Sequence, residues 1–466
     1  MRGLIQGLMA VAVLLGIPGT VFAADGAPVI DTGDTAWVLV SAALVMLMTP
    51  GLAFFYGGMV RSKNVLTTIM QSFFIVAMVS VQWVLFGFSL AFGPDVNGFI
   101  GDLSWAGLTD IAMFTAPFED YSGTVPLFAF VAFQCMFAVI TAALITGAYA
   151  ERFKFGAFVL FTLLWTTFLY DPMAHWVWGV GGWLRDLGAL DFAGGTVIHI
   201  LSGVSGLVAC IMIGKRTGKG VVPMLPHHLP MTVLGAALLW FGWFGFNAGS
   251  ALGANGLAAS AFVVTQAAAA AATLAWVGAE WITNGHPTML GAASGCIAGL
   301  VAITPAAGFV TVVPAVIIGL IGGVLCFAAV AIVKAKLGYD DALDAFGVHG
   351  VGGTWGALAT GLWATTEVNP GGADGLFYGN PHQLYVQAVT VVVAIVLAVA
   401  GTYIILKIVG AITTLRADAA EEESGLDIVE HGERAYRQSI TAGTPLTSLA
   451  VQEAPAFAPK PAPADK

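Results

Sequence analysis

Apolar runs of about 20 residues, nearly free of charge, recur along this chain and constrain its fold more than any motif does. They predict eleven membrane helices, at 34–58, 65–93, 123–149, 155–175, 194–214, 230–249, 257–283, 287–304, 312–335, 345–366 and 382–412. Inside a bilayer every backbone N–H and C=O must be satisfied within the segment, so the fold class is an all-α polytopic membrane protein. Only 9% of the 466 residues are charged, against roughly a quarter in soluble domains. One integral membrane domain over 24–415 is therefore expected, embedded in the lipid bilayer.

The chain opens "MRGLIQGLMAVAVLLGIPGTVFAADGAP". Arg2, the apolar stretch 8–17 and Val21-Phe22-Ala23 make a secretory signal peptide over 1–23, cut after Ala23. The stretch is too short for a first membrane helix and stops at Pro18-Gly19. Arg61/Lys63, Arg152/Lys154, Lys215/Arg216/Lys219 and Lys334/Lys336 fall on alternate connections. The positive-inside rule then puts the N-terminus outside (periplasmic) and the C-terminus in the cytoplasm. Signal and orientation together suggest a multi-pass protein of a bacterial inner membrane.

An outside N-terminus and an odd helix count fit a 5+5 inverted repeat plus one long tilted C-terminal helix. The fifth helix carries "DFAGGTVIHI" and the tenth "DAFGVHGVGG"; each has an Asp and a Phe ahead of a mid-helix His. If these are repeat mates, His199 and His349 meet. One such His is commonly an interhelical hydrogen bond. Two in equivalent places point to a site, because a neutral imidazole both donates and accepts and two of them can share a bond and still offer a group to a small polar guest.

Near the outward helix ends lie Phe133, Phe137, Trp178 and Phe246. Most such rings belong to an interfacial belt. Phe133 and Phe137, however, are four apart and share a helix face, and Ser250 is four after Phe246. Rings beside a hydroxyl can hold a small cation by cation–π attraction and one hydrogen bond. Asp191 reads as the N-cap of the fifth helix, a role compatible with favouring a cation nearby. The four cysteines sit in apolar segments without metal-ligand spacing, so neither disulfide nor metal is expected. No nucleophile–base motif or nucleotide loop appears, which argues against an enzyme and against any cofactor. Much of the net charge of −10 lies in loops and tail and says little about binding; no nucleic-acid partner is expected. From Arg416 the chain turns charged, and 440–466 is Ala/Pro-rich and expected to be disordered.

Six segments in order resemble the ammonium transporter family (Amt/Mep/Rh), nearer its bacterial Amt members. They are "GLAFFYGGMVRSKNVL" (51–66), "GAYAERFKF" (147–155), "LDFAGGTVIHI" (190–200), "GWFGFNAGS" (242–250), "DDALDAFGVHGVGG" (340–353) and "GLDIVEHGERAYR" (425–437). The resemblance implies transport of ammonium/ammonia, with methylammonium as analogue. It implies an outer site of Phe133, Phe137, Trp178 and Ser250, a gate of Phe137 over Phe246, and a pore pair of His199 and His349. Asp191 and Gln134 would support the site. It further implies a homotrimer and a PII-type signalling protein docking on the cytoplasmic face, with 416–439 as a regulatory tail. Two other classes stay open: an ammonium receptor signalling through its tail, and a sodium- or proton-coupled carrier of a larger solute.

Overall fold

Asp31 opens the first long helix by accepting the amide of Asp34 at 2.8 Å, the usual way a short acidic side chain satisfies a free helix N–H. A computed structural model describes residues 29–436. The expected signal peptide at 1–23 and the extension at 440–466 lie outside the described residues.

The long elements follow in chain order: α1 Thr32–Met59, α2 Ser62–Phe92, α3 Leu127–Tyr149, α4 Phe155–Leu187, α5 Gly195–Ile213, α6 Leu229–Gly249, α7 Gly256–Asn284, α8 Met289–Ile303 and α9 Val312–Leu337. α10 begins as Phe346–Gly350 and continues as Val351–Trp363, and α11 is Pro381–Ile412. Two short helices close the described chain, α12 Ala419–Ser424 and α13 Leu426–His431.

Among the described residues nine helices are long and apolar enough to cross a membrane. The expected spans at 287–304 and 345–366 fall outside that number. α8 has 15 residues, and α10 is rich in glycine, which dilutes its apolar content. α4 runs well past the expected end at 175. A wide π-helical turn at Thr166–Tyr170 and a break at 179–182 carry it on to Leu187. A small hairpin pairs β1 Asp95–Val96 with β2 Ile100–Gly101 antiparallel beyond the end of α2. All four cysteines are free and buried.

The end of the bundle holding the start of α2, the start of α4 and the end of α5 is tied by charge. Arg152 is fully buried and donates to the carbonyls of Ala148, Ala150, Gly214 and Asp340. Arg216 binds Asp340 through Nε at 2.9 Å and Nη2 at 2.8 Å. Burial pushes the Asp340 carboxyl up, but this bidentate guanidinium contact more than offsets it and holds the group well below the usual carboxylate range.

The tail folds onto the same end. Glu422 accepts from the Thr217 amide at 2.8 Å and pairs with Arg416 at 2.6 Å. Asp427 accepts the amides of Leu66 and Thr67 at 3.0 and 2.8 Å. Ser62–Asn64 form a 3-10 turn and Val65 opens the α-helical part of α2, so Asp427 supplies its N-terminal cap from more than 350 residues away.

Candidate functional site

Trp178 ends the regular part of α4, and its indole N–H donates to the Asp191 carbonyl at 2.8 Å. That bond fixes the ring over a cavity of about 520 Å³. Phe137, Gln134, Asp191 and Ser250 line the same cavity. Phe133 does not. Its ring lies fully buried behind Phe137, with centroids 4.7 Å apart. The (i, i+4) spacing read from the sequence brings the two rings together but leaves only Phe137 facing the cavity.

The cavity offers acceptors and ring faces. Ser250 Oγ donates its single proton to the Phe246 carbonyl at 2.9 Å, which leaves its lone pairs for a donor. Gln134 Oε1 is buried without a partner. The Asp191 carboxylate is occupied: it accepts the amides of Gly194, Gly195, Thr196 and Val197 at 2.8, 2.6, 2.7 and 3.2 Å, and the Thr196 hydroxyl as well. It is the cap of α5, held 6% exposed. A guest that donates hydrogen bonds and carries positive charge matches Ser250 and the faces of Phe137 and Trp178.

Phe137 and Phe246 close the floor of this cavity. Their rings stack 4.3 Å apart at 4°. Below them a cavity of about 10 Å³ is lined by apolar side chains, His199 and His349. That is near the smallest volume that holds one water-sized molecule. A further cavity of about 30 Å³ continues past His349 towards Tyr56 and Asp344. The Phe246 and His199 rings are 6.1 Å apart, so rings and imidazoles form one file.

His199 and His349 meet. Their Nδ1 atoms are 3.3 Å apart and their rings nearly parallel at 21°. Each sits on a π-helical turn, His199 in Gly195–Ile200 and His349 in Phe346–Gly350. Such turns are rare and concentrate at functional sites. The helices can touch here because glycine faces backbone on both sides. A Cβ on Gly203 would fall 2.2 Å from the Gly350 nitrogen, and one on Gly353 would fall 2.8 Å from the Gly195 carbonyl.

One hydrogen links the two Nδ1 atoms, so one ring donates and the other accepts. The donating ring keeps a lone pair on Nε2, and the accepting ring carries its N–H there. Whichever ring holds the bridging proton, the pair presents unlike poles. The Nε2 of His199 is buried and partnerless.

The sequence missed two members of this arrangement. Trp243 stacks on His199 at 5.4 Å, and its indole donates to Thr304 at 2.9 Å. Its signal was present: it lies three before Phe246 and so shares that ring's helix face. The second is Asp341. The sequence paired Asp344 with Asp191, but Asp344 turns away to Lys334 with φ 65. Asp341 instead caps α10, accepting the amides of Ala345 and Phe346 at 3.1 and 2.8 Å. It lies eight residues before His349, as Asp191 lies eight before His199. Burial, then the Asp344 charge, pushes its carboxyl above the ordinary aspartate range.

An apolar helical bundle holding a file of rings, a closed floor and two touching imidazoles defines a membrane transporter. The chain belongs to the Ammonium Transporter Family, whose profile matches residues 36–436. It is 57% identical over 408 residues to a protein of Bacillus subtilis named "Ammonium transporter", covering 88% of this chain and 99% of that one. A protein of the same name from Aquifex aeolicus is 49% identical over 412 residues, covering 87% and 94%. The crystal structure of Saccharomyces cerevisiae Mep2 superposes with a TM-score of 0.78 at 37% identity, covering 84% of this chain and 91% of that one.

Proposed function

We propose that this protein carries ammonium nitrogen across a bacterial inner membrane: ammonium is caught at the Trp178 end, gives up a proton there, and crosses the histidine file as ammonia, the proton either returning to the outer water or passing along the histidine pair. The observation that carries the reading is the stacked Phe137–Phe246 floor above an apolar space of about 10 Å³ holding two imidazoles. Ammonium and potassium match closely in size and charge, and a pore selecting on charge alone passes both. Stripping either ion for so small an apolar space costs many kcal/mol. Only ammonium escapes by releasing a proton, after which the neutral molecule pairs with an Nε2 lone pair or N–H of the histidines.

In this reading Phe137, Trp178 and Ser250 hold ammonium, with Phe133 buttressing Phe137. Asp191 and Gln134 support the site, Phe137 and Phe246 gate it, and His199 and His349 line the pore. The Trp178 end faces the periplasm. α1–α5 and α6–α10 form the inverted repeat, with α11 added, which gives eleven spans. The Asp191/His199 and Asp341/His349 spacings support that symmetry. Residues 1–23 are a cleaved signal, and three copies assemble, one route each.

Ammonium-jump currents on proteoliposomes at several pH values, with potassium as control, test the route. A current or uptake that saturates with ammonium and is absent with potassium is expected. Equal potassium flux, or a response needing sodium and a larger solute, overturns it.

Trp178→Leu removes the ring face while keeping apolar bulk. Cation–π attraction is worth about 1–2 kcal/mol at a partly desolvated site. The half-saturating ammonium concentration should rise roughly 5–30-fold, and an unchanged substrate curve argues against the ring as part of the site.

The tail at 416–439 is proposed as the docking surface of a PII-type partner. Glu422, Asp427 and Tyr436 hold it to α2, the end of α5 and His227, which supports a shape fixed before docking. Deleting the chain after Arg416 should weaken inhibition by the purified PII protein. Full inhibition of the truncated transporter contradicts the assignment.

A further inference from the structure

Outside the histidine file, α2 and α4 share a polar contact that ammonium transport leaves unexplained. Gln82 is 3% exposed and Asp171 fully buried. Each borders a π-helical turn: Gln82 directly precedes Trp83–Gly87, and Asp171 directly follows Thr166–Tyr170. The amide Nε2 of Gln82 donates to Asp171 Oδ2 at 2.6 Å and more weakly to Thr167 Oγ1 at 3.4 Å. Two acceptor oxygens are left over, Gln82 Oε1 and Asp171 Oδ1. Both are buried and partnerless.

Buried polar atoms in folded proteins are almost always paired, and an unpaired carboxylate among apolar helices is among the costliest groups to bury. None of the ion pairs among the described residues includes Asp171. The titratable group beside it is Tyr170 on α4 itself, a phenol and not a cation; His175, one turn further along α4, is engaged by the Ala91 carbonyl and Asp95.

Two leftover acceptors on groups already joined at their other atoms need one donor between them. We propose that Asp171 is a proton-holding site whose Oδ1 carries a hydrogen donated to Gln82 Oε1, closing a carboxylic acid–amide pair between α2 and α4. A carboxylic acid and a primary amide each present one donor and one acceptor along an edge, so the pair satisfies all four atoms.

A bound metal cation would also satisfy two oxygens, but it needs room. Neither residue lines any of the cavities around the histidine file or beneath the tail. The amide also lies hard against Gly87, where a Cβ would fall 2.5 Å from Gln82 Oε1. A proton takes no such volume.

The pair has a mechanical consequence. α4 runs from Asp171 to Trp178 in two turns, and residues seven apart lie on one face. A neutral tie at Asp171 therefore fixes the helix that presents Trp178. This consequence rests on the ammonium reading; the proton assignment does not.

Infrared spectra of the full-length protein in proteoliposomes test the assignment. A carbonyl stretch of a protonated carboxylic acid is expected at neutral pH, above the range where exposed aspartates are ionised. It should be missing in Asp171→Asn and move to higher frequency in Gln82→Leu, where the acid loses its amide partner. The proposal is overturned if no such band depends on Asp171, or if sodium or potassium abolishes the band. Should the Asn variant not assemble, a band left unmoved by Gln82→Leu overturns it equally. A failure of ammonium transport would leave this spectrum unaffected, so the two readings fail separately.

Discussion

His199→Ala and His349→Ala are each expected to lower ammonium-driven uptake or current by roughly 10–100-fold, or to admit potassium. The magnitude follows from what each ring supplies. Leaving a buried donor or acceptor unpaired costs about 1–3 kcal/mol, and 1.4 kcal/mol is tenfold in rate. Removing one ring also breaks the 3.3 Å contact between the two Nδ1 atoms, so the survivor loses its fixed orientation and its unlike pole. The cavity would grow by most of an imidazole beyond its present volume of about 10 Å³. That favours water entry, which weakens the exclusion of dehydrated cations. The outcomes separate two roles. A slow but selective variant marks the pair as a relay for the guest or its proton. A fast but leaky variant marks it as a filter. Unchanged flux and unchanged selectivity in both variants would remove the pair from the mechanism.

Much of this arrangement was legible in the sequence because the relevant periods are local. Apolar runs gave the helices to within a few residues at most ends, and the alternation of Lys and Arg gave a testable orientation. His199 and His349 stood out because an ionisable group in a membrane helix is rarely incidental. The misses share a physical origin in backbone geometry that no period encodes. α4 runs twelve residues past its expected end because a short helix, Trp183–Leu187, follows the break at 179–182, and the aspartate matched to Asp191 was Asp344, whereas Asp341 makes the capping bonds. Phe133 was placed at the site because spacing gives a shared face but does not say which of two stacked rings meets the cavity. Gln82 and Asp171 could not be paired from sequence, since they lie 89 positions apart and carry no motif. The cap of α2 by Asp427 is likewise a contact across 361 positions.

The second large effect is expected at Asp191. Asp191→Ala removes the acceptor for four backbone amides and the Thr196 hydroxyl at the start of α5. Leaving buried donors unpaired costs about 1–3 kcal/mol each, and water entering at the cavity side recovers part of that. A loss on the order of 3–5 kcal/mol is therefore expected, at the exceptional end of single substitutions. It should appear as a large fall in thermal stability of the detergent-solubilised protein. Asp191→Asn keeps one carbonyl acceptor and the same shape but loses the charge, so it should retain more of the fold than alanine does. The contrast decides what the carboxylate is for. If capping is its whole role, transport by the Asn variant should follow its stability. If its charge also favours a cation beside Trp178, the Asn variant should be folded yet need more ammonium for half-maximal current. An alanine variant as stable as the parent would contradict the capping geometry itself, because among the described residues no other side chain accepts from those amides.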